Sequence, residues 1–112
     1  MNVLVTGGRG FIGSHLVNRL LAQGHNVQDI DCLTYAGDPT VRRDRNYLHI
    51  HKRVQDVRPR HIKRDVEAIF HLAAESHVDN SITEPKDFIL TNVLGTMNMI
   101  SLARELKIKQ FF

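Results

Sequence analysis

The stretch Asn2-Val3-Leu4-Val5-Thr6-Gly7-Gly8-Arg9-Gly10-Phe11-Ile12-Gly13 decides the fold. Its first part, Asn2 to Thr6, is a short apolar run rich in β-branched residues that glycines break at once. That reads as a buried strand ending at a loop. From Phe11 to Gln23 the residues Ile12, Leu16, Leu20 and Leu21 fall at helical spacing, and Gly24 stands just beyond as a stop. Between strand and helix, Gly7, Gly10 and Gly13 make a G-x-x-G-x-x-G loop. Such a loop turns sharply and lets backbone approach a pyrophosphate with no Cβ in the way. The free N–H groups and the dipole of the helix start then bind phosphate. A bare glycine pattern is weak evidence, because a glycine-rich turn needs no ligand. Here it lies between a strand and a helix, and an acid follows it. Asp31 stands 18 residues past Gly13, at the end of a second strand expected over Val27 to Asp31, where a carboxylate can accept hydrogen bonds from a ribose. A carboxylate there repels a 2′-phosphate and favours NAD over NADP, while Arg42 and Arg43 nearby pull the other way.

Outward from this unit the pattern repeats. Leu33 to Arg45 is a polar loop, Tyr47 to His51 alternates as a third strand, and residues 55–65 are polar and basic, with Pro59 opening one or two helical turns. Val66 to Ala73 is a fourth strand, Glu75 to Glu84 a loop, and Pro85 the first residue of a helix to about Leu106. Lys107 to Phe112 begins a fifth strand. Strands alternating with helices predict an α/β fold, a doubly wound parallel sheet of order 3-2-1-4-5 cut off as its fifth strand begins. On the long helix, Phe88, Ile89, Val93, Met97, Ile100 and Ala103 are expected to face the sheet. Leu90, Leu94, Met99 and Leu102 widen the apolar surface, so the helix should be buried on more than one side.

Composition fits one soluble globular domain: 112 residues, 42% hydrophobic and 24% charged. No apolar run approaches the length of a membrane span, and the opening residues lack the basic and cleavable parts of a signal peptide. The single Cys32 excludes an internal disulfide framework and fits a reducing cytoplasm, where a small packed residue is the ordinary reading. The net charge of +3 is uneven. Residues 42–64 hold nine basic side chains against Asp44 and Asp56. A basic segment can bind polyanions, but only Tyr47 interleaves it, so a solvated face is expected rather than a nucleic-acid platform. No histidine shows metal-ligand spacing with acids or cysteine, so no metal is expected.

Three segments carry a family resemblance: Val5-Thr6-Gly7-Gly8 through Gly13-Ser14; Asp31-Cys32-Leu33-Thr34-Tyr35-Ala36-Gly37; and His71-Leu72-Ala73-Ala74-Glu75-Ser76-His77-Val78-Asp79-Asn80-Ser81-Ile82. Thr91-Asn92-Val93-Leu94-Gly95-Thr96 continues it. Over nearly its whole length the chain resembles the N-terminal part of the dTDP-glucose 4,6-dehydratases, within the extended short-chain dehydrogenase/reductase superfamily. The resemblance implies that Gly7, Gly10, Gly13, Phe11 and Ile12 hold the pyrophosphate of NAD and that Asp31 binds the adenosine ribose. It implies further that Leu33, Thr34, Ala36 and Gly37 wrap the adenosine side, and that Leu72, Ala73 and Ala74 line the cofactor trough. Thr91 would face the cofactor from the helix, and Glu75, Ser76 and His77 would lie near the nicotinamide and the sugar. His71 is more plainly structural. The family's dimer bundles suggest a homo-oligomer or a partner chain.

The sequence departs from the family in three places. Lys52-Arg53-Val54 stands where the family has a segment whose Asp meets the adenine amino group. Arg53 is a donor-only cation, leaving backbone groups of Val54 to offer contact. The stretch between Asp56 and His71 is short, so its crossover helix should be stunted. Third, the family's reaction passes a hydride from the sugar to NAD, eliminates water and returns the hydride. It uses a Tyr-x-x-x-Lys pair and an acid/base pair, and here Tyr35 is followed four residues on by Pro39 and Tyr47 by His51. Residues 1–112 are therefore expected to be a partial NAD-binding Rossmann domain without catalytic residues of its own, lacking the catalytic C-terminal half and the substrate domain. The alternatives are part of a nucleotide-sugar epimerase, or a non-enzymatic dimerisation or binding module. In either case Ile108, Phe111 and Phe112 should be poorly covered at an open sheet edge.

Overall fold

The computed structural model describes residues 1–32, 44–63, 65–74 and 85–112. In chain order these form β1 (Asn2–Thr6), α1 (Phe11–Ala22), β2 (Asn26–Ile30), β3 (Tyr47–Ile50), β4 (Ala68–His71), α2 (Pro85–Ile89), α3 (Thr96–Glu105) and β5 (Gln110–Phe111). The strands make one parallel sheet in the order β3-β2-β1-β4-β5, as the sequence predicts. Of the two expected loops, residues 33–43 of Leu33 to Arg45 and the whole of Glu75 to Glu84 lie outside the described residues.

Val3, Leu4 and Val5 are all buried because the sheet is covered on both faces, and a pleated strand sends alternate residues to opposite layers. Val3, Val5 and Val27 pack with Val17, Leu20 and Leu21 of α1. Leu4, Ile30 and Ile69 pack on the other face with Met99, Leu102 and Ala103 of α3. The α1 helix ends as expected, with Gly24 at φ 86°. The N–H groups of Gly24 and His25 donate to the carbonyls of Leu21 and Leu20, a Schellman stop that favours glycine in the left-handed region. The second long helix ends in the same pairing, Lys107 to Arg104 and Ile108 to Ala103, but there a non-glycine residue holds φ 56°.

Between β3 and β4 the crossover is stunted, as anticipated. It has two single 3₁₀ turns, Val54–Asp56 and Pro59–His61, with Pro59 at the start of the second. The helical stretch from Pro85 to Glu105 is also present, but Leu90–Gly95 within it is π-helical.

The expected facing of that helix is overturned. Ile89, Val93, Met97 and Ile100 are about half exposed, while the buried side is Gly95, Met99, Leu102 and Ala103. Of the residues expected to face the sheet, Ala103 is buried there and Phe88 is part-buried. The cause is steric. A Cβ at Gly95 would come 2.5 Å from Cγ2 of Val54, so the inward seam is the one that offers a glycine. The side-chain amide of Asn98 locks it there, donating to the carbonyls of Val54 (2.7 Å) and Val57 (2.9 Å). At the sheet edge Ile108 packs against the core, contrary to expectation, whereas Phe111 and Phe112 stay exposed and Phe112 stacks on Phe70 at 5.0 Å.

Candidate functional site

The strand order reverses between β1 and β4, so a crevice opens beyond their C-terminal ends, where parallel sheets take ligands. The glycine loop forms one lip and Leu72–Ala74 the other. The glycines differ in their reasons. Gly7 has φ 74°, and a Cβ on it would lie 2.8 Å from the backbone N of Ala73. A Cβ on Gly13 would lie 2.0 Å from the Gly7 carbonyl, and one on Gly8 would lie within the Asp29 carboxylate. Gly10 is different. It is extended (φ −75°, ψ 175°), and an added Cβ would meet only the Gly7 oxygen, at 3.3 Å. The protein packing asks for glycine at 7, 8 and 13, and very little at 10.

Gly10 caps α1 with no side-chain hydrogen bond, no acid lies in the first turn, and the first intrahelical bond runs from Ser14 N–H to the Gly10 carbonyl. The N–H groups of the first turn therefore point out of the helix toward the crevice lip, beneath a positive dipole end. Phe11 (82% exposed), Ile12 (70%) and Leu72 (38%) give this opening an apolar rim.

Asp31 follows β2 and is tied to the loop, its carboxylate accepting from the Arg9 N–H at 3.0 Å. Beneath it lies a network that sequence reasoning missed. Fully buried Asp29 accepts from the Gly8 N–H (2.8 Å) and from the Tyr47 hydroxyl (2.7 Å). The Tyr47 oxygen in turn accepts from Nε of Arg9 (3.3 Å), which is itself buried. Burial raises the Asp29 carboxyl above its ordinary 3.8, against the lowering pull of those two donors. Burial and the neighbouring carboxylate push the Tyr47 hydroxyl up as well. The loop's shape is thus set by a carboxylate that replaces water for a backbone N–H. A Gly-Gly pair with an acid two residues before the ribose acid was the available signal.

The other lip is held by hydroxyls. Thr6 Oγ1 accepts from the N–H groups of Leu72 and Ala73, each at 3.1 Å, and lies 2.7 Å from Nδ1 of His71. Nε2 of His71 is 2.9 Å from Thr96 Oγ1, whose hydroxyl donates to the Asn92 carbonyl at 2.9 Å. Thr91 lies part-buried in the π segment beside this chain. Val54 is buried beneath Gly95 with its carbonyl taken by Asn98, and Arg53 is exposed. Leu33, Thr34, Ala36, Gly37, Glu75, Ser76 and His77 lie outside the described residues. Among the described residues no group of acids, histidines and cysteine could hold a metal ion, and no helix is long and apolar enough to cross a membrane.

A sequence profile of the NAD dependent epimerase/dehydratase family matches residues 3–112. A probable dTDP-glucose 4,6-dehydratase of Sinorhizobium fredii is 43% identical over 112 residues, covering 94% of this chain and 32% of its own length. The dTDP-glucose 4,6-dehydratase of Salmonella typhimurium is 41% identical, covering 94% and 31%. The chain thus spans about a third of the length of these relatives. Among solved structures, a Streptomyces venezuelae dTDP-glucose 4,6-dehydratase with NAD and TYD bound superimposes with a TM-score of 0.90 at 40% identity, covering 99% of this chain and 38% of that one. A UDP-glucose 4-epimerase from Thermotoga maritima, solved with UDP-glucose, gives 0.86 at 33% identity, covering 99% and 36%.

Proposed function

The chain belongs to the NAD-dependent epimerase/dehydratase family, and from that premise we propose that it is the NAD-binding portion of a dTDP-glucose-type nucleotide-sugar 4,6-dehydratase. The observation that carries this reading is Gly10: a glycine that packing scarcely requires, at an uncapped helix start, beside an acid fixed at the end of β2. NAD fits that arrangement. The pyrophosphate lies on the first turn of α1 against Gly10, Phe11, Ile12 and Gly13, Asp31 receives the adenosine ribose, and Leu72, Ala73, Ala74 and Thr91 line the nicotinamide end. When bound, NAD supplies acceptance and return of a hydride. This chain's residues bind and orient it and exclude water. Leu33, Thr34, Ala36 and Gly37 serve the adenosine side, with Glu75, Ser76 and His77 toward a nucleotide sugar; the carbonyl of Val54, taken by Asn98, is not offered to the cofactor. Residues 1–112 carry no Tyr-x-x-x-Lys pair, so no proton transfer to the sugar is assigned to them. The dehydratase reading is preferred to an epimerase because the dehydratase relatives are the more similar in sequence.

Two finer points belong to the same reading. The exposed stripe Ile89, Val93, Met97 and Ile100 supports self-association through this helix, and Met97→Glu should then shift a sedimenting dimer to monomer. The lone cysteine and the lack of a membrane-crossing helix among the described residues support a cytoplasmic setting. The functional reading itself is tested by calorimetric titration with NAD and NADP. Saturable binding that prefers NAD, with the preference lost in Asp31→Ala, is expected; folded chain that binds neither dinucleotide contradicts it.

A further inference from the structure

The hydrogen bonds around His71 fix its protonation. Thr6 Oγ1 receives the N–H of Ala73 and shares that of Leu72 with the Thr6 carbonyl, which takes it at the same 3.1 Å. With its lone pairs facing these amides, its proton points to the His71 ring, and Nδ1 is the unprotonated nitrogen. Nε2 then carries the hydrogen and donates to Thr96 Oγ1, which passes its own hydrogen to the Asn92 carbonyl. Every member of the chain is satisfied, in one direction and in one tautomer. Its two ends hold different elements. One end anchors Leu72 and Ala73, just beyond β4. The other anchors the π-helical Leu90–Gly95, where Thr91 sits. Both ends bear residues that the proposed function places against the nicotinamide.

We infer that His71 is a positioning residue that, only as the neutral Nε2–H tautomer, holds the two walls of the NAD trough in register; this rests on the NAD-binding reading above. A second ring proton would turn Nδ1 into a donor facing Thr6 Oγ1, whose lone pairs already face two N–H groups. The hydroxyl then turns away or gives up an amide; Leu72 keeps the Thr6 carbonyl as acceptor, so the wall loosens at Ala73. Among the described residues packed on the ring, Thr6 comes from β1, Phe111 from β5 (centroids 6.0 Å apart) and Thr96 from α3, and none is charged. Burial alone accordingly lowers the histidine from its ordinary 6.5. The π bulge has a place in this account. Irregular helical turns of this kind recur at functional sites, and here the bulge ends at Gly95, immediately before the threonine that receives the ring.

The test uses the 112-residue chain and two readouts. Nitrogen NMR of the ring reports the tautomer, and amide hydrogen exchange at Leu72 and Ala73 reports the wall. Calorimetry with NAD is run in parallel from about pH 8 down to about pH 5. The expected result is a bare Nδ1 at high pH. Ala73 should lose protection below pH 6.5 while Leu72, held by the Thr6 carbonyl, and Leu4 and Ile69 keep theirs. NAD affinity should fall by about tenfold in the same window, the worth of one hydrogen bond. His71→Asn retains an acceptor for Thr6 but cannot titrate, and should show flat protection and flat affinity. NAD binding whose pH profile is unchanged in His71→Asn, or a protonated Nδ1 at high pH, would overturn the inference alone. Failure of wild-type chain to bind NAD at any pH, with Ala73 still titrating, would break the functional reading and support the latch.

Discussion

The two lips of the crevice are built by opposite means. The glycine loop is shaped by missing side chains: Gly7, Gly8 and Gly13 exist because Ala73, Asp29 and the Gly7 carbonyl occupy the space a Cβ would take. The lip after β4 is shaped by side chains that are present: Thr6 Oγ1 takes the Ala73 N–H and shares that of Leu72 with the β1 carbonyl, and His71 links this hydroxyl to Thr96. The first kind of construction is intolerant of volume, and its titratable group, Asp29, lies fully buried beneath the loop. The second tolerates volume and is sensitive to protons. The same crevice therefore has one wall that steric change breaks and another that chemistry can loosen.

Substitutions can break this contrast, and they differ in size. Gly13→Ala should have the largest effect. Its methyl would sit 2.0 Å from a backbone oxygen with no flexible neighbour to yield, so a loss above about 4 kcal/mol, seen as an unfolded chain by circular dichroism, is expected. Asp29→Ala comes next. It strands the Gly8 N–H and the Tyr47 hydroxyl, at a cost of about 2–4 kcal/mol in urea unfolding. Asp29→Asn sharpens the point through pH. Burial raises the folded-state carboxyl above its ordinary 3.8, so its contribution to stability is full below pH 3.8 and is lost as pH rises through the folded value. The difference in stability between wild type and Asp29→Asn should therefore move in the variant's favour across that rise, and a difference that is constant with pH would refute the raised value. The smallest effect is expected away from the crevice. Lys107 holds φ 56° where α1's matching stop has Gly24, so Lys107→Gly should gain about 1 kcal/mol, read as a higher unfolding midpoint.

What the sequence made legible follows the same division. The sheet order, the glycine loop and the position of Asp31 rest on spacings within one βαβ unit, which a linear reading resolves. The Arg9–Tyr47–Asp29 network does not, because it depends on the β2–β3 register that pairs Val27 with Tyr47 and so brings the Tyr47 hydroxyl to Asp29. His71 read as structural by itself. Its role needs the β1–β4 register that sets it opposite Thr6, together with the helix seam that brings up Thr96. That seam was itself misread. Periodicity reveals two apolar stripes on the helix but not which is inward, and the choice was made by the fit of Gly95 on Val54, a contact between distant parts of the chain. The expected contacts from residues 33–37 and 75–77 lie outside the described residues.

The most direct test of the central claim is the Gly10→Ala variant, followed by circular dichroism and NAD calorimetry on the same sample. Gly10 has an extended backbone open to any residue, and its methyl would meet only one oxygen at 3.3 Å, so the variant should fold with a loss no greater than about 1 kcal/mol. The pyrophosphate, in contrast, needs the space that the methyl fills. The account predicts a folded variant with NAD affinity lowered by about tenfold or more. A folded variant that binds NAD as tightly as wild type would contradict it.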